Sequence, residues 1–145
     1  MSTLPKIPST HLDIVEQELM AMVSTLRHQD GRISTNPVTF DWDGEFLRFS
    51  TLKQRVKYKN LLANPQITLC IMCLKNPTRY IEVRGHAELT DDPGGKFQLA
   101  LWKKYTGLNE FNLDPPGSER VTVKIIPEKI SAPDLYGGRL DSYST

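Results

Sequence analysis

Residues 80–90, Y-I-E-V-R-G-H-A-E-L-T, alternate apolar and polar side chains without a break. Ile81, Val83, Gly85, Ala87 and Leu89 fall on one face, and Glu82, Arg84, His86 and Glu88 on the other. A sustained period of two excludes a helix and requires an extended strand with one face buried and one facing water. The neighbouring segments are punctuated for the same architecture. Residues 20–26 are β-compatible with apolar side chains at both parities, and they run into His28-Gln29-Asp30-Gly31, whose Asp-Gly pair signals a tight turn. Residues 32–40 read as the returning strand, Trp42-Asp43-Gly44 as a second hairpin turn, and residues 46–51 as the next strand. A last strand over residues 120–126 turns Val121, Val123 and Ile125 inward. With residues 67–74 this gives about six mainly hairpin-linked strands and two or three short helices, an α+β chain dominated by antiparallel sheet. Such a set favours a small closed barrel, because closure removes exposed strand edges.

The helices are short and bounded. Thr10-x-x-Asp13 resembles a capping box opening a helix over residues 12–19. A second helix follows Arg55 and stops near Ala63, ahead of Asn64-Pro65, because proline disfavours helical geometry in the residue before it. Asp91-Asp92-Pro93-Gly94-Gly95 ends the alternating strand, and residues 96–105 form a third helix with Phe97, Leu101 and Tyr105 on one face. Residues 67–74 are apolar at both parities, so both faces should be covered, one by the barrel interior and the other by a partner. A flexible lead-in over residues 1–10 and a tail over residues 128–145 flank what reads as one domain spanning residues 1–145.

Composition narrows the function. The net charge of +1 supplies no general basic field for nucleic acid, and Tyr58 is the one aromatic within the basic segment described below. No apolar run reaches the roughly 20 residues that span a bilayer, and the N-terminus lacks the apolar core of a secretory signal. These features predict a cytoplasmic protein with free thiols and no membrane partner. Cys70-x-x-Cys73 lies inside a strand, where odd spacing sends the two side chains to opposite faces. No second pair or histidine cluster completes a zinc site, so both read as buried core cysteines, with no metal expected. His11, His28 and His86 are scattered, and no nucleophile motif is present. No residue stands out as catalytic, so any chemistry belongs to a bound cofactor.

The segment 50–65, S-T-L-K-Q-R-V-K-Y-K-N-L-L-A-N-P, is where such a group would bind. A strand runs into four cations, Lys53, Arg55, Lys57 and Lys59, at the start of a helix. Free backbone N–H groups at a helix start attract anions, nearby cations strengthen the attraction, and Ser50 and Thr51 add hydroxyl donors. The competing reading is a solvated helix face. A second segment, Ser34-Thr35-Asn36-Pro37-Val38, interrupts a strand with a proline that cannot donate to a ladder. It is either a plain edge strand or backbone presented to a flat heterocycle.

In order, D-G-R-I-S-T-N-P-V, F-S-T-L-K-Q-R-V-K-Y-K-N-L-L-A-N-P, R-Y-I-E-V-R-G-H-A-E-L-T-D-D-P-G-G and K-Y-T-G resemble the pyridoxamine-phosphate-oxidase-like flavin-binding split barrels. Within these the likeness is greatest to the small proteins classed as deazaflavin (coenzyme F-420)-dependent oxidoreductases, and it covers about residues 15–127. The resemblance implies a six-stranded antiparallel split β-barrel and a homodimer with two cofactor sites at the subunit interface. Arg55 and Lys57 would hold the phosphate, aided by Ser50, Thr51 and Asn60. The strand from Ser34 through Thr35, Asn36, Pro37 and Val38 would line the ring, and Tyr80 would approach from the neighbouring subunit. The implied cofactor is coenzyme F-420 with FMN as the alternative, and the implied activity is hydride transfer to a small organic acceptor. A non-catalytic flavin binder or carrier is the competing class.

Overall fold

The computed structural model describes residues 3–137 and residue 139. One antiparallel sheet of seven strands, in the order β2-β1-β5-β6-β7-β4-β3, carries the whole fold. The strands are β1 (Met20–Leu26), β2 (Ile33–Thr39), β3 (Asp41–Trp42), β4 (Leu47–Leu52), β5 (Gln66–Cys73), β6 (Asn76–Asp91) and β7 (Arg120–Ser131). The helices are α1 (Leu12–Gln17), α2 (Val56–Ala63) and α3 (Lys96–Thr106).

Seven strands replace the expected six, and the extra one is the two-residue β3. Its position explains the architecture. β2 and β3 are separated in sequence only by Phe40, yet they lie at opposite ends of the strand order. The sheet must therefore curl until its two ends touch, and the buried Phe40 is the point where the chain steps across. No ladder joins β2 to β3, so the barrel is split rather than closed by hydrogen bonds.

The predicted parity holds along the main strands. Ile81, Val83 and Ala87 of β6, Val121, Val123 and Ile125 of β7, and Ile67, Leu69 and Ile71 of β5 are all buried. All of these but Val121 pack with Ala21 and Val23 of β1 and Phe49 of β4 in one core. The opposite face of β5 is half-buried to exposed, with Met72 at 46%. The cysteines are free and half-buried rather than buried: Cys73 packs against the edge of the core, and Cys70 sits opposite Glu82 on the outward face. Burial, with the Glu82 carboxylate adding to it, pushes the Cys70 thiol upward from its ordinary range. Cys70 is half-buried because its strand face has no cover, whereas Cys73 packs against the edge of the core at the end of β5, where the β5–β6 register shifts.

Local motifs yield to tertiary pairing in three places. The Thr10-x-x-Asp13 box does not form: Thr10 Oγ1 meets His11 Nδ1 at 2.8 Å, and Asp13 pairs with Arg79 from β6. The lead-in is packed, with Ile7 buried in the core, and β7 continues to Ser131, beyond the expected end at residue 126. Tyr105 of α3 is exposed, and Leu101 alone of the predicted stripe is buried. Of the tail, Gly138 and residues 140–145 lie outside the described residues, as do residues 1 and 2 of the lead-in.

Asp92 is the buried carboxylate that starts α3. Its Oδ1 accepts from the Phe97 N–H and its Oδ2 from the Gln98 N–H, each at 3.1 Å. Two helix-start donors that would otherwise lack partners are thereby satisfied. Asp92→Ala should cost about 1–2 kcal/mol and lower the melting temperature by about 3–8 °C in a chain of this size. A thermal melt showing no loss would mean that water replaces the carboxylate at no cost.

Candidate anion site at the β4–α2 junction

Arg55, the residue that precedes α2, has extended geometry, and no side chain caps the helix. Its first backbone N–H groups are therefore available to an outside acceptor. Arg55 is exposed, and Lys57 is half-buried with its Nζ 5.6 Å from the centre of the Phe49 ring. Among the described residues, neither cation has a carboxylate within 4.0 Å, the reach of an ion pair. Burial, and secondarily the Arg55 charge, lowers the Lys57 ammonium from its ordinary 10.5 to about 8. Thr51, 1% exposed on the inward face of β4 with Phe49, has a buried Oγ1 with no hydrogen-bond partner. Two cations without counter-ions and an uncapped helix start share one need, which an anionic oxygen cluster meets.

The lysine lies on the helix face that turns inward. Lys57, Asn60 and Leu61 occupy positions i, i+3 and i+4, and Asn60 and Leu61 are the buried residues of α2. A lysine in an apolar stripe is a sequence signal for an enclosed cation, and reading the run as a charge cluster overlooked it. Phe49, which supplies the ring under the ammonium, was also overlooked as a site residue.

The other expected residues divide between places. Lys53 is not available, because its ammonium lies 3.1 Å from Asp91 and 3.3 Å from Glu119. Ser50 and Thr51 are adjacent in β4 and face opposite sides, and Ser50 Oγ accepts from Arg120 Nη1 at 3.4 Å. Asn60 is 1% exposed, and both ends of its amide are bonded inside the protein. Ser34 pairs with Thr25, the β1 residue that α2 bonds through Asn60, so Ser34 and Asn36 lie on the α2 side of β2. Thr35 and Pro37 lie on the other side, opposite Ser24 and Met22, and Thr35 Oγ1 is 2.8 Å from Ser24 Oγ. Val38 is buried in the core. β2 is an edge strand, which accounts for the tolerated Pro37. Tyr80 of β6 is half-buried opposite Met72, on the outward side of the sheet with Thr35 and Pro37. Lys57 meets β4 at Phe49, on the strand face that Thr51 shares, and Tyr80 lies on the outward side of the sheet.

A cleft of about 920 Å³ lies elsewhere, between the start of α3 and the loop before β7. Its cations are already neutralised: Lys53 by Asp91 and Glu119, and Arg120 by a two-point pair with Asp114 at 2.7 and 2.6 Å. The β4–α2 junction is the better anion site despite lying open in a single chain. Among the described residues, no His/Cys/Asp/Glu cluster suits a metal ion, and no helix is long and apolar enough to cross a membrane.

Known proteins share the fold. The family model described as pyridoxamine 5'-phosphate oxidase matches residues 7–132. A solved structure described as an F420 reductase is 35% identical, with 86% of this chain and 98% of that chain covered and a TM-score of 0.75. The General Stress Protein 26 of Bacillus anthracis is 24% identical, with 86% and 95% covered and a TM-score of 0.63. A conserved hypothetical protein of Mycobacterium tuberculosis is 16% identical, with 91% and 87% covered and a TM-score of 0.70. The latter two likenesses concern the fold alone. No curated protein matches the chain.

Proposed function

This chain belongs to the pyridoxamine 5'-phosphate oxidase family, and from that premise we propose that it is an oxidoreductase that binds coenzyme F-420, with FMN as the alternative, and reduces a small organic acceptor. The observation that carries the reading is the pair of unneutralised cations, Arg55 and Lys57, at the uncapped start of α2. These groups fit a phosphate, which both cofactors carry. The deazaflavin is preferred because the F420 reductase structure is 35% identical over 86% of this chain. When bound, such a cofactor supplies hydride chemistry that no side chain here can supply. The protein's share is to fix the phosphate through Arg55 and Lys57, and to hold the ring in one orientation beside Ser34, Thr35, Asn36, Pro37 and Val38.

The proposed assembly is a cytoplasmic homodimer with cofactor sites at the subunit interface. Met20, Met22 and Met72 are exposed on the outward side of the sheet that also holds Thr35, Pro37 and Tyr80, and an apolar strand face of this kind suits burial by a second copy. Tyr80 would then reach the partner's site.

Fluorescence titration of the purified protein with F-420 and with FMN tests binding, and size-exclusion chromatography with light scattering tests the dimer. Reduced cofactor mixed anaerobically with quinones, enones or tetrapyrroles should be reoxidised. Binding without turnover across a broad acceptor panel would make the protein a flavin carrier, and no binding of either cofactor would end the assignment.

A further inference from the structure

We infer that Asn60 is a positioning residue for the anion site: its buried amide, bonded at once to Thr25 and His28, sets the rotation of α2 and so holds Lys57 over the Phe49 ring. The inference rests on the phosphate reading of the β4–α2 junction given above. α2 has eight residues, of which Asn60 and Leu61 are buried. A helix this short has little stability of its own and takes its orientation from tertiary contacts. Leu61 makes apolar contacts, which set depth but carry no direction. Asn60 supplies the direction. Its Oδ1 accepts the His28 backbone N–H at 2.9 Å and stands 2.9 Å from His28 Nδ1, while its Nδ2 donates to Thr25 Oγ1 at 3.1 Å. The three bonds tie the helix to β1 and to the turn that follows it.

The partners fix the amide's orientation. A backbone N–H can only donate, so Oδ1 must face His28, and the His28 ring must then present Nδ1–H to the same oxygen. That bond survives in both charge states of the ring, because Nδ1 carries its proton in each. The clamp is therefore indifferent to His28 protonation. Lys57 precedes Asn60 by one turn on the same face, so the clamp acts on it directly. Around the Lys57 ammonium, β4 contributes the neutral Phe49 ring and α2 the Arg55 charge. Rotation of α2 by about 30° would carry a long side chain several ångströms at its tip, lifting the ammonium from the ring into water.

The test compares Asn60→Ala, Thr25→Val and Thr25→Ser. Lys57 is titrated by NMR in the ligand-free protein, and FMN and F-420 affinities are measured at 10 °C, where circular dichroism verifies folding. Asn60→Ala should move the Lys57 midpoint upward from about 8 by at least one unit, and weaken cofactor binding roughly tenfold or more. Thr25→Val, which removes one bond and spares the rest, should shift both readouts in the same direction by less. Thr25→Ser keeps the acceptor hydroxyl and should restore wild-type values. If the Lys57 midpoint and the affinity stay at wild-type values in folded Asn60→Ala, or in Thr25→Val should Asn60→Ala not fold, the amide is only structural. Failure of the wild-type protein to bind either cofactor would overturn the proposed function instead, and the Lys57 titration would still decide the role of Asn60.

Discussion

Gly85→Ala should lower the melting temperature by more than about 10 °C. Gly85 lies in β6 where the β6–β7 register shifts: Arg84 faces Lys129, Gly85 faces Pro127, and Glu128 is left over between them. The bulge accommodates Pro127, which has no N–H to give the ladder, and it frees Glu128 to reach His86 Nδ1 at 2.9 Å. It also brings β7 against Gly85. A Cβ there would meet the Ile126 carbonyl oxygen at 2.0 Å, the Ile126 carbonyl carbon at 2.9 Å and Pro127 Cα at 3.1 Å. All three obstacles are backbone atoms of the neighbouring strand, so no side chain can rotate away. Relief requires breaking the ladder between the two strands that share the longest pairing in the sheet. The cost should exceed about 4 kcal/mol, against a typical total of about 5–15 kcal/mol. Gly31 makes the contrast: at φ 72° with open space around it, an added methyl meets nothing and should cost only about 1–2 kcal/mol. Far-UV circular dichroism and a thermal melt decide the point, and a Gly85→Ala protein melting within a few degrees of wild type would show that β6 and β7 can separate freely at the bulge.

The same residue shows how far the sequence reaches. Gly85 stands in a flawless alternating row, so its face is legible from Ile81 and Val83, but its need to be glycine is not. That need arises from the Ile126 carbonyl on another strand, and a bulge leaves no mark in the periodicity of either partner. Phe40 is similar: the run through residues 32–40 looks continuous, and only the meeting of sheet ends converts its last residue into a crossing point and adds β3. Asp13 is a sound helix-start acid, yet Arg79 of β6 claims it. In the candidate site, Arg55 and Lys57 were legible because charge follows directly on a strand. Which cations stay free was not. Lys53 belongs to the same run, and it is neutralised by Asp91 and Glu119, residues distant in sequence that the fold brings alongside. The Ser50–Thr51 pair was legible in principle, since alternation within a strand allows only one of two neighbours to face the helix.

Lys57→Met should raise the stability of the ligand-free protein while abolishing most of its cofactor affinity. The ammonium is half-buried on Phe49 without a counter-ion, and its titration point falls from 10.5 to about 8, chiefly through burial. A lysine of the unfolded chain holds its proton more tightly than this one. The unfolded state therefore binds more protons between about pH 8 and 10.5, and wild-type stability should climb as pH rises through that window. Below about pH 8 the full penalty of charging the site persists. Discounted for partial exposure, that penalty is on the order of 2–3 kcal/mol. Methionine keeps the aliphatic packing and removes the charge, so its melting temperature at pH 7 should exceed wild type and lose the alkaline rise. Affinity moves the other way, because a charge-assisted bond to phosphate is worth about 1.5–3 kcal/mol, or about ten- to a hundredfold. The double change Arg55→Ala with Lys57→Ala should weaken binding by orders of magnitude in a folded barrel. A bound phosphate favours the charged lysine, so above about pH 8 the wild-type complex should take up close to one proton. Calorimetry in buffers of different ionisation enthalpy measures that uptake, which should vanish in Lys57→Met. An evolved site that retains a destabilising charge needs a ligand to justify it. Wild-type affinity in Lys57→Met and in the double variant would remove both cations from the site and leave the buried ammonium without a function.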